Sequence, residues 1–128
     1  MKTKILLIED NEQNRYLATY LLEQHGHAVV HAANGPAGLE LATREPFDLI
    51  LLDIQLPGMD GYAVARALRR IPALTAVPII AVTSYAMAGD REKALAAGCS
   101  HYVEKPINPE TFVAEVMRQI PPAKETRS

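Results

Sequence analysis

Leu49-Ile50-Leu51-Leu52-Asp53-Ile54-Gln55-Leu56-Pro57-Gly58-Met59-Asp60-Gly61 is the stretch from which the fold can be read. Four consecutive apolar residues without alternation predict a strand buried on both faces, as in a parallel sheet. Asp53 stands at the carboxyl end of that strand, Pro57-Gly58 supplies a turn, and Asp60 is placed to cap a helix. Comparable runs occur at Ile5-Leu6-Leu7-Ile8, Ala28-Val29-Val30, Ile79-Ile80-Ala81-Val82 and Tyr102-Val103. The intervening segments have helical spacing: Tyr16, Leu17, Tyr20 and Leu21 on one face, then Val64, Leu68 and Ile71. After the fifth run Asn108 is placed to cap and Pro109 suits a first turn. Phe112, Val113, Val116, Met117 and Ile120 follow as a broad apolar stripe. Turns are expected at Gly26 and Gly35-Pro36, and Gly98 closes a helix. Five strands alternating with five helices predict a three-layer α/β sheet with right-handed crossovers.

The 128 residues suit one domain, expected over 1–121 with a short solvated tail over 122–128. With 48% hydrophobic and 22% charged residues the chain has the composition of a globular domain. Thirteen Lys+Arg against fifteen Asp+Glu give a net charge of -2, so no global basic field invites nucleic acid or an anionic membrane. One cysteine, Cys99, excludes an internal disulfide and a multi-cysteine zinc site. No apolar run approaches the ~20 residues of a membrane span, and the four apolar residues before Glu9 are too few for a signal peptide. The expected address is the cytoplasm. Met87 to Ala97 predicts a weakly anchored helix, with Leu95 its one large apolar residue beyond Met87.

In an open parallel sheet, ligands bind at the carboxyl ends of the strands. Glu9-Asp10, Asp53, Thr83-Ser84 and Glu104-Lys105-Pro106 occupy those ends here. Glu9, Asp10 and Asp53 bring three negative charges, which one Mg²⁺ and Lys105 would balance. Mg²⁺ suits an all-oxygen site with few protein ligands and waters that a phosphate can displace. Lys105 then faces a phosphoryl oxygen, the Thr83 hydroxyl donates to another, and Asp53 is a candidate covalent acceptor.

Ile8-Glu9-Asp10-Asn11, Leu52-Asp53 through Gly61, Ala81-Val82-Thr83 and Lys105-Pro106, in this order, resemble bacterial response-regulator receiver domains from about Lys4 to Ile120. Ala86-Met87-Ala88-Gly89-Asp90-Arg91, Ala97-Gly98-Cys99 and Lys105-Pro106-Ile107 look most like single-domain regulators of the DivK type. They also resemble receiver modules of hybrid histidine kinases. The resemblance implies a flavodoxin-like doubly wound fold with strand order 2-1-3-4-5. It implies that Asp10 binds Mg²⁺ directly (Mn²⁺ substituting), Glu9 through water, with Asp53 and the Gln55 main-chain carbonyl as further ligands. Asp53 would accept a phosphoryl group from a sensor histidine kinase or histidine phosphotransfer protein. Lys105, its bond to Pro106 cis, would pair with the phosphate. Thr83 and Tyr102 would form the switch pair, reshaping the surface of the fourth helix, fifth strand and fifth helix toward a downstream target protein.

Other residues have plainer readings. His25 and His27 read as a turn with two solvated histidines, because no third metal ligand is indicated. Arg66, Arg69 and Arg70 read as a solvated basic face, and Cys99 as a small packed residue. Asn14 reads as a polar helix position, with a role facing the site or the kinase as the rarer alternative. An aspartate-nucleophile phosphatase needs a second Asp two residues after the first as general acid, where this chain has Gln55. A flavodoxin-like electron carrier would need a hydroxyl-rich phosphate loop where Glu9-Asp10-Asn11-Glu12 stands. A phosphorylation-independent docking module would not need the intact residue set. Only a short tail follows Ile120, so no helix-turn-helix is expected in these 128 residues. By the resemblance, Gln55 and Tyr85 border the path of the hydrolytic water, and the bulk of Tyr85 predicts slow self-dephosphorylation. Tyr85→Ala is therefore expected to shorten the acyl-phosphate lifetime, measured as decay of the phosphoryl adduct by intact mass.

Overall fold

A computed structural model describes residues 3–56, 60–84 and 89–120. The expected tail and Tyr85 lie outside the described residues. The chain runs β1 (Lys4–Ile8), α1 (Glu12–Gln24), β2 (Ala28–Ala32), α2 (Gly35–Arg44), β3 (Leu49–Asp53) and α3 (Gly61–Arg69). A single 3₁₀ turn (Pro72–Leu74) follows, then β4 (Ile79–Thr83), α4 (Asp90–Ala96), β5 (His101–Glu104) and α5 (Phe112–Met117). All strand pairs are parallel and the order is β2-β1-β3-β4-β5. The continuous apolar runs are thus the inner strands, and β3 and β4 are buried along their whole length.

Strand residues divide between two cores by the two-residue repeat of a pleated strand. Leu6, Ile8, Ile50, Leu52, Ile79 and Ala81 face Ala42, Val64, Leu68 and Ala94 of α2, α3 and α4. Ile5, Leu7, Leu49, Leu51, Ile80 and Val82 face Ala18 and Leu22 of α1 and Phe112, Val113 and Val116 of α5. In the stripe expected for the last helix Phe112, Val113, Val116 and Ile120 are buried and Met117 is partly buried, but Asn108 does not cap α5: its Oδ1 accepts from Glu110 N in a turn over 109–111, and α5 starts behind Thr111. Asp60 caps α3 as expected, its Oδ1 accepting from Tyr62 N at 3.0 Å. A Cβ on Gly61 would run into the backbone of Ile54, so only glycine lets α3 start this close to the loop that follows Asp53.

Three further expectations need correction. Tyr16 and Tyr20 are 72% and 50% exposed and stack on each other outside, while Ala18 and Leu22 are the buried residues of α1. Two phenol rings can share a surface, whereas the alanine midway between them, two positions from each, allows α1 to lie close on the sheet. Gly35-Pro36 opens α2 instead of making a separate turn, because Asn34 caps that helix through Ala37 N at 2.8 Å. His27 is half-buried, not solvated, and burial together with nearby His25 lowers its pKa from the ordinary imidazole range.

Arg69 is a further departure. Arg66 and Arg70 are exposed, but the Arg69 guanidinium turns inward. Its Nη1 donates to the Leu74 and Val77 carbonyls at 2.7 Å each, and its Nε donates to the Gly98 carbonyl at 2.9 Å. Nη2 also reaches Ser100 Oγ at 3.3 Å. A planar five-donor fork can reach carbonyls of two separate connections from different nitrogens at once, where an ammonium has three donors on one atom. Gly98 takes φ +108°, and a Cβ there would press on the Arg69 stem at 2.8 Å. Arg69→Met is therefore expected to destabilise the fold by about 2 kcal/mol, since it strips partners from partly buried carbonyls. Arg70→Met should stay within about 0.5 kcal/mol; urea unfolding of both variants checks the contrast.

Candidate functional site

Glu9, Asp53 and Thr83 are the buried polar and charged residues among the described ones, each 3% exposed. All three stand at the carboxyl edge of the sheet. Asp53 ends β3, paired in register with Val82, and the Ile54 amide donates to the Val82 carbonyl at 3.0 Å. Glu9 follows β1, its amide held by the Ala32 carbonyl of β2 at 3.0 Å. Thr83 ends β4, and its carbonyl accepts from Lys105 N at 2.7 Å, which fixes the chain leaving β5. The Lys105-Pro106 bond is cis, as the resemblance implied.

Lys105 joins the carboxylates. Its Nζ lies 3.1 Å from Glu9 Oε1 and 3.4 Å from Asp53 Oδ2, with its side chain 10% exposed. Asp10 is exposed beside them, and one carboxylate oxygen from each of Glu9, Asp10 and Asp53 lies within 4.8 Å of the others. This is an all-oxygen donor set with one protein cation against three acids. Burial, followed by the neighbouring Asp53 carboxylate, pushes the Glu9 carboxyl up to about 7, although Lys105 pulls it down. A proton on Glu9 thus does part of what a second cation would do. The residues therefore fit a hard divalent cation.

The main chain adds further contacts. Gln55 N donates to Asp53 Oδ1 at 2.9 Å, and Asn11 N donates to Glu9 Oε2 at 3.2 Å. The Gln55 side chain turns away from the acids, its Oε1 accepting from Ser84 N at 2.8 Å. No residue pattern signals that contact, because the donor is a backbone group and carries no residue signature. Tyr102 is half-buried and packs with the core beneath α4, on the same sheet face as its register partner Ala81. By the same alternation Thr83 projects to that face, so the expected switch pair shares one side of β4 and β5. Arg91, His101, Tyr102, Glu104, Asn108 and Glu115 line an open groove of about 530 Å³ over α4, β5 and α5.

The raised Glu9 carboxyl has a pH consequence. The folded chain holds a proton that the unfolded chain gives up near 4.5. In metal-free buffer, Glu9 therefore favours folding least above about pH 7, with stability falling as pH rises from about 4.5 to about 7. Glu9→Gln should remove that slope, and the difference between the two urea-unfolding profiles isolates it from histidine titration.

A model of the response regulator receiver domain matches residues 5–117. A polar-differentiation response regulator DivK from Brucella anthropi is 39% identical over 116 residues, covering 91% of this chain and 94% of that protein. Among solved structures, the chemotaxis protein CheY4 of Vibrio cholerae superposes with TM-score 0.90 at 28% identity. That match covers 94% of this chain and 100% of CheY4. The receiver domain of the sensor histidine kinase PA1611 from Pseudomonas aeruginosa, with a magnesium ion in its active-site cleft, matches at TM-score 0.85 and 36% identity. It covers 93% of this chain and 98% of that one. A family model matched over residues 5–117 and a relative 39% identical over most of both chains place the chain in the response regulator receiver domain family.

Proposed function

We propose that this chain is a single-domain phosphorelay switch whose phosphoryl acceptor is Asp53. The observation that carries this reading is the Lys105 ammonium set against two buried carboxylates, Glu9 and Asp53, at one sheet edge. The donor is a phosphohistidine of a sensor kinase or phosphotransfer protein. An Asp53 carboxylate oxygen attacks phosphorus as the P–N bond breaks; the electron pair stays on that nitrogen, and a proton already on the other ring nitrogen of the donor lets it leave as neutral imidazole. Lys105 faces a phosphoryl oxygen, and the Thr83 hydroxyl is positioned to donate to another. Water attack on phosphorus then returns the carboxylate and releases phosphate, so the chain acts on itself and not on external phosphoesters.

Asp10, Asp53 and the Gln55 main-chain carbonyl would hold Mg²⁺, with Glu9 through water; Mn²⁺, of equal charge and oxygen preference, would substitute. When bound, the cation supplies positive charge against phosphoryl oxygens that Lys105 alone does not balance. Thr83 turning toward the phosphoryl group would draw Tyr102 inward and alter the groove over α4, β5 and α5, which is the proposed contact with a downstream protein. No nucleic-acid contact is part of this reading. No helix among the described residues is long and apolar enough to cross a membrane; a cytoplasmic address is proposed from membership of the family.

Intact mass after incubation with acetyl phosphate tests the reading. One phosphoryl adduct is expected on the wild type with Mg²⁺, and none with chelator or on Asp53→Ala. Lys105→Met should slow adduct formation at least about tenfold, the scale of one lost charge-assisted contact. A wild type that stays unlabelled, under conditions that label another receiver, would favour a docking-only module.

A further inference from the structure

The turn between α1 and β2 holds an imidazole that the acceptor chemistry does not use. His25 closes α1, and Gly26 follows with φ +85°. The Gly26 amide donates to the Glu23 carbonyl at 3.0 Å, and the His27 amide donates to the Leu22 carbonyl at 3.2 Å. Two such bonds around a left-handed glycine are the Schellman ending of a helix. In that ending the residue after the glycine commonly packs an apolar side chain on the helix residue whose carbonyl it caps. Here the residue after the glycine is His27, and the helix residue is the fully buried Leu22.

An imidazole thus occupies a seat suited to a hydrocarbon. His27 Nδ1 is out of water and has no hydrogen-bond partner among the described residues. His25 has taken a carbonyl nearby, its Nδ1 lying 3.0 Å from the Leu21 oxygen. The next amide, that of Ala28, donates to the Thr3 carbonyl at 2.9 Å, so the backbone on both sides of the His27 ring is committed. A neutral ring can leave Nδ1 as one unpaired acceptor. A protonated ring would bury an N–H donor and part of a charge with nothing to receive them.

We propose that the α1–β2 turn is an acid-sensitive joint: protonation of His27 expels its ring from the seat against Leu22 and unfastens the end of α1 from β2. The surrounding charges do not rescue the protonated ring. Burial and then His25 of α1 both act against it, and no carboxylate among the described residues offsets them. Glu23 on α1 and His31 on β2 are exposed, and Lys4 of β1, in register with Ala28, is paired with Glu45. The joint lies at the opposite end of α1 and β2 from Asp10 and from the Ala32 carbonyl that holds the Glu9 amide. It therefore bears on the stability of this edge of the fold and is independent of the phosphoacceptor reading.

The test follows amide–water exchange at Gly26 and His27 by NMR between about pH 7.5 and about pH 5.5, corrected for the intrinsic pH dependence of exchange. Wild type, His27→Phe and His31→Gln are compared without metal or phosphate donor. In wild type the open fraction of the joint should rise as pH falls, by at most about tenfold, because the open ring takes a proton near the ordinary imidazole value of 6.5 and the closed ring resists it. His27→Phe keeps a ring, supplies the apolar side chain that the seat suits, and should show no rise. His31→Gln removes an exposed histidine of the same edge and should keep the wild-type rise. A pH-independent open fraction in wild type, or a rise that persists in His27→Phe, would overturn the joint. The ring protons of His27 give a second reading that needs no variant to fold: titration in the folded wild type at or above 6.5 would also overturn it.

Discussion

Two carboxyl groups, Glu9 and Asp53, are held almost out of water at one edge of a parallel sheet, and a single ammonium, Lys105, is set against both. Burying like charges side by side is unfavourable unless cations or protons compensate, and one lysine compensates only in part. The remainder appears as the raised Glu9 carboxyl. Much of the surrounding geometry serves to keep these groups together. β1 and β3 are adjacent, so their carboxyl ends deliver Glu9 and Asp53 side by side. The Thr83 carbonyl holds the Lys105 amide, which places the lysine from the opposite side. A site left short of positive charge is prepared for a cation and for the transfer of a charged group; it is a poor permanent ion pair.

The strands were legible in the sequence because burial on both faces leaves uninterrupted apolar runs. The acid, hydroxyl and lysine positions were legible because the same runs mark where each strand stops. The order of the strands was not written in the residues: it followed from the resemblance, since every inner strand is apolar enough to sit beside any other. Tyr16 and Tyr20 misled because tyrosine counts as apolar in a periodicity reading, while its stacked rings tolerate water. The buried positions of α1 are one small residue and one leucine, Ala18 and Leu22.

Arg69 and Gln55 were misread or incomplete for a shared reason. Both act on backbone groups, the arginine on carbonyls and the glutamine on an amide. Backbone groups occur at every position and so leave no pattern in a sequence. A basic residue on a helix with two other arginines looks like a solvated face until the carbonyls it meets are known. The same limit applies to Asp60, where the cap was legible only because capping is local and its donor lies two residues away.

These contacts also divide the molecule along the sheet. Arg69 ties the connection entering β4, at Leu74 and Val77, to the connection entering β5, at Gly98 and Ser100. Ser100 adds its own bonds to Ile79, so the amino-terminal ends of β4 and β5 are fixed by several donors at once. At the carboxyl ends of the same strands, the contact found between the Gln55 side chain and Ser84 is one exposed hydrogen bond. Helix α4 lies between the two regimes: its carboxyl end runs into the Arg69-bound Gly98, and its entry at Gly89 carries no side-chain cap. A helix fixed at one end and lightly held at the other can pivot without disturbing the strands beneath it. Displacement would then be largest at the end nearest Thr83 and smallest where β5 begins. On the proposed reading, a change of charge at Asp53 would alter the groove at α4, β5 and α5 while leaving in place the sheet that positions the carboxylates.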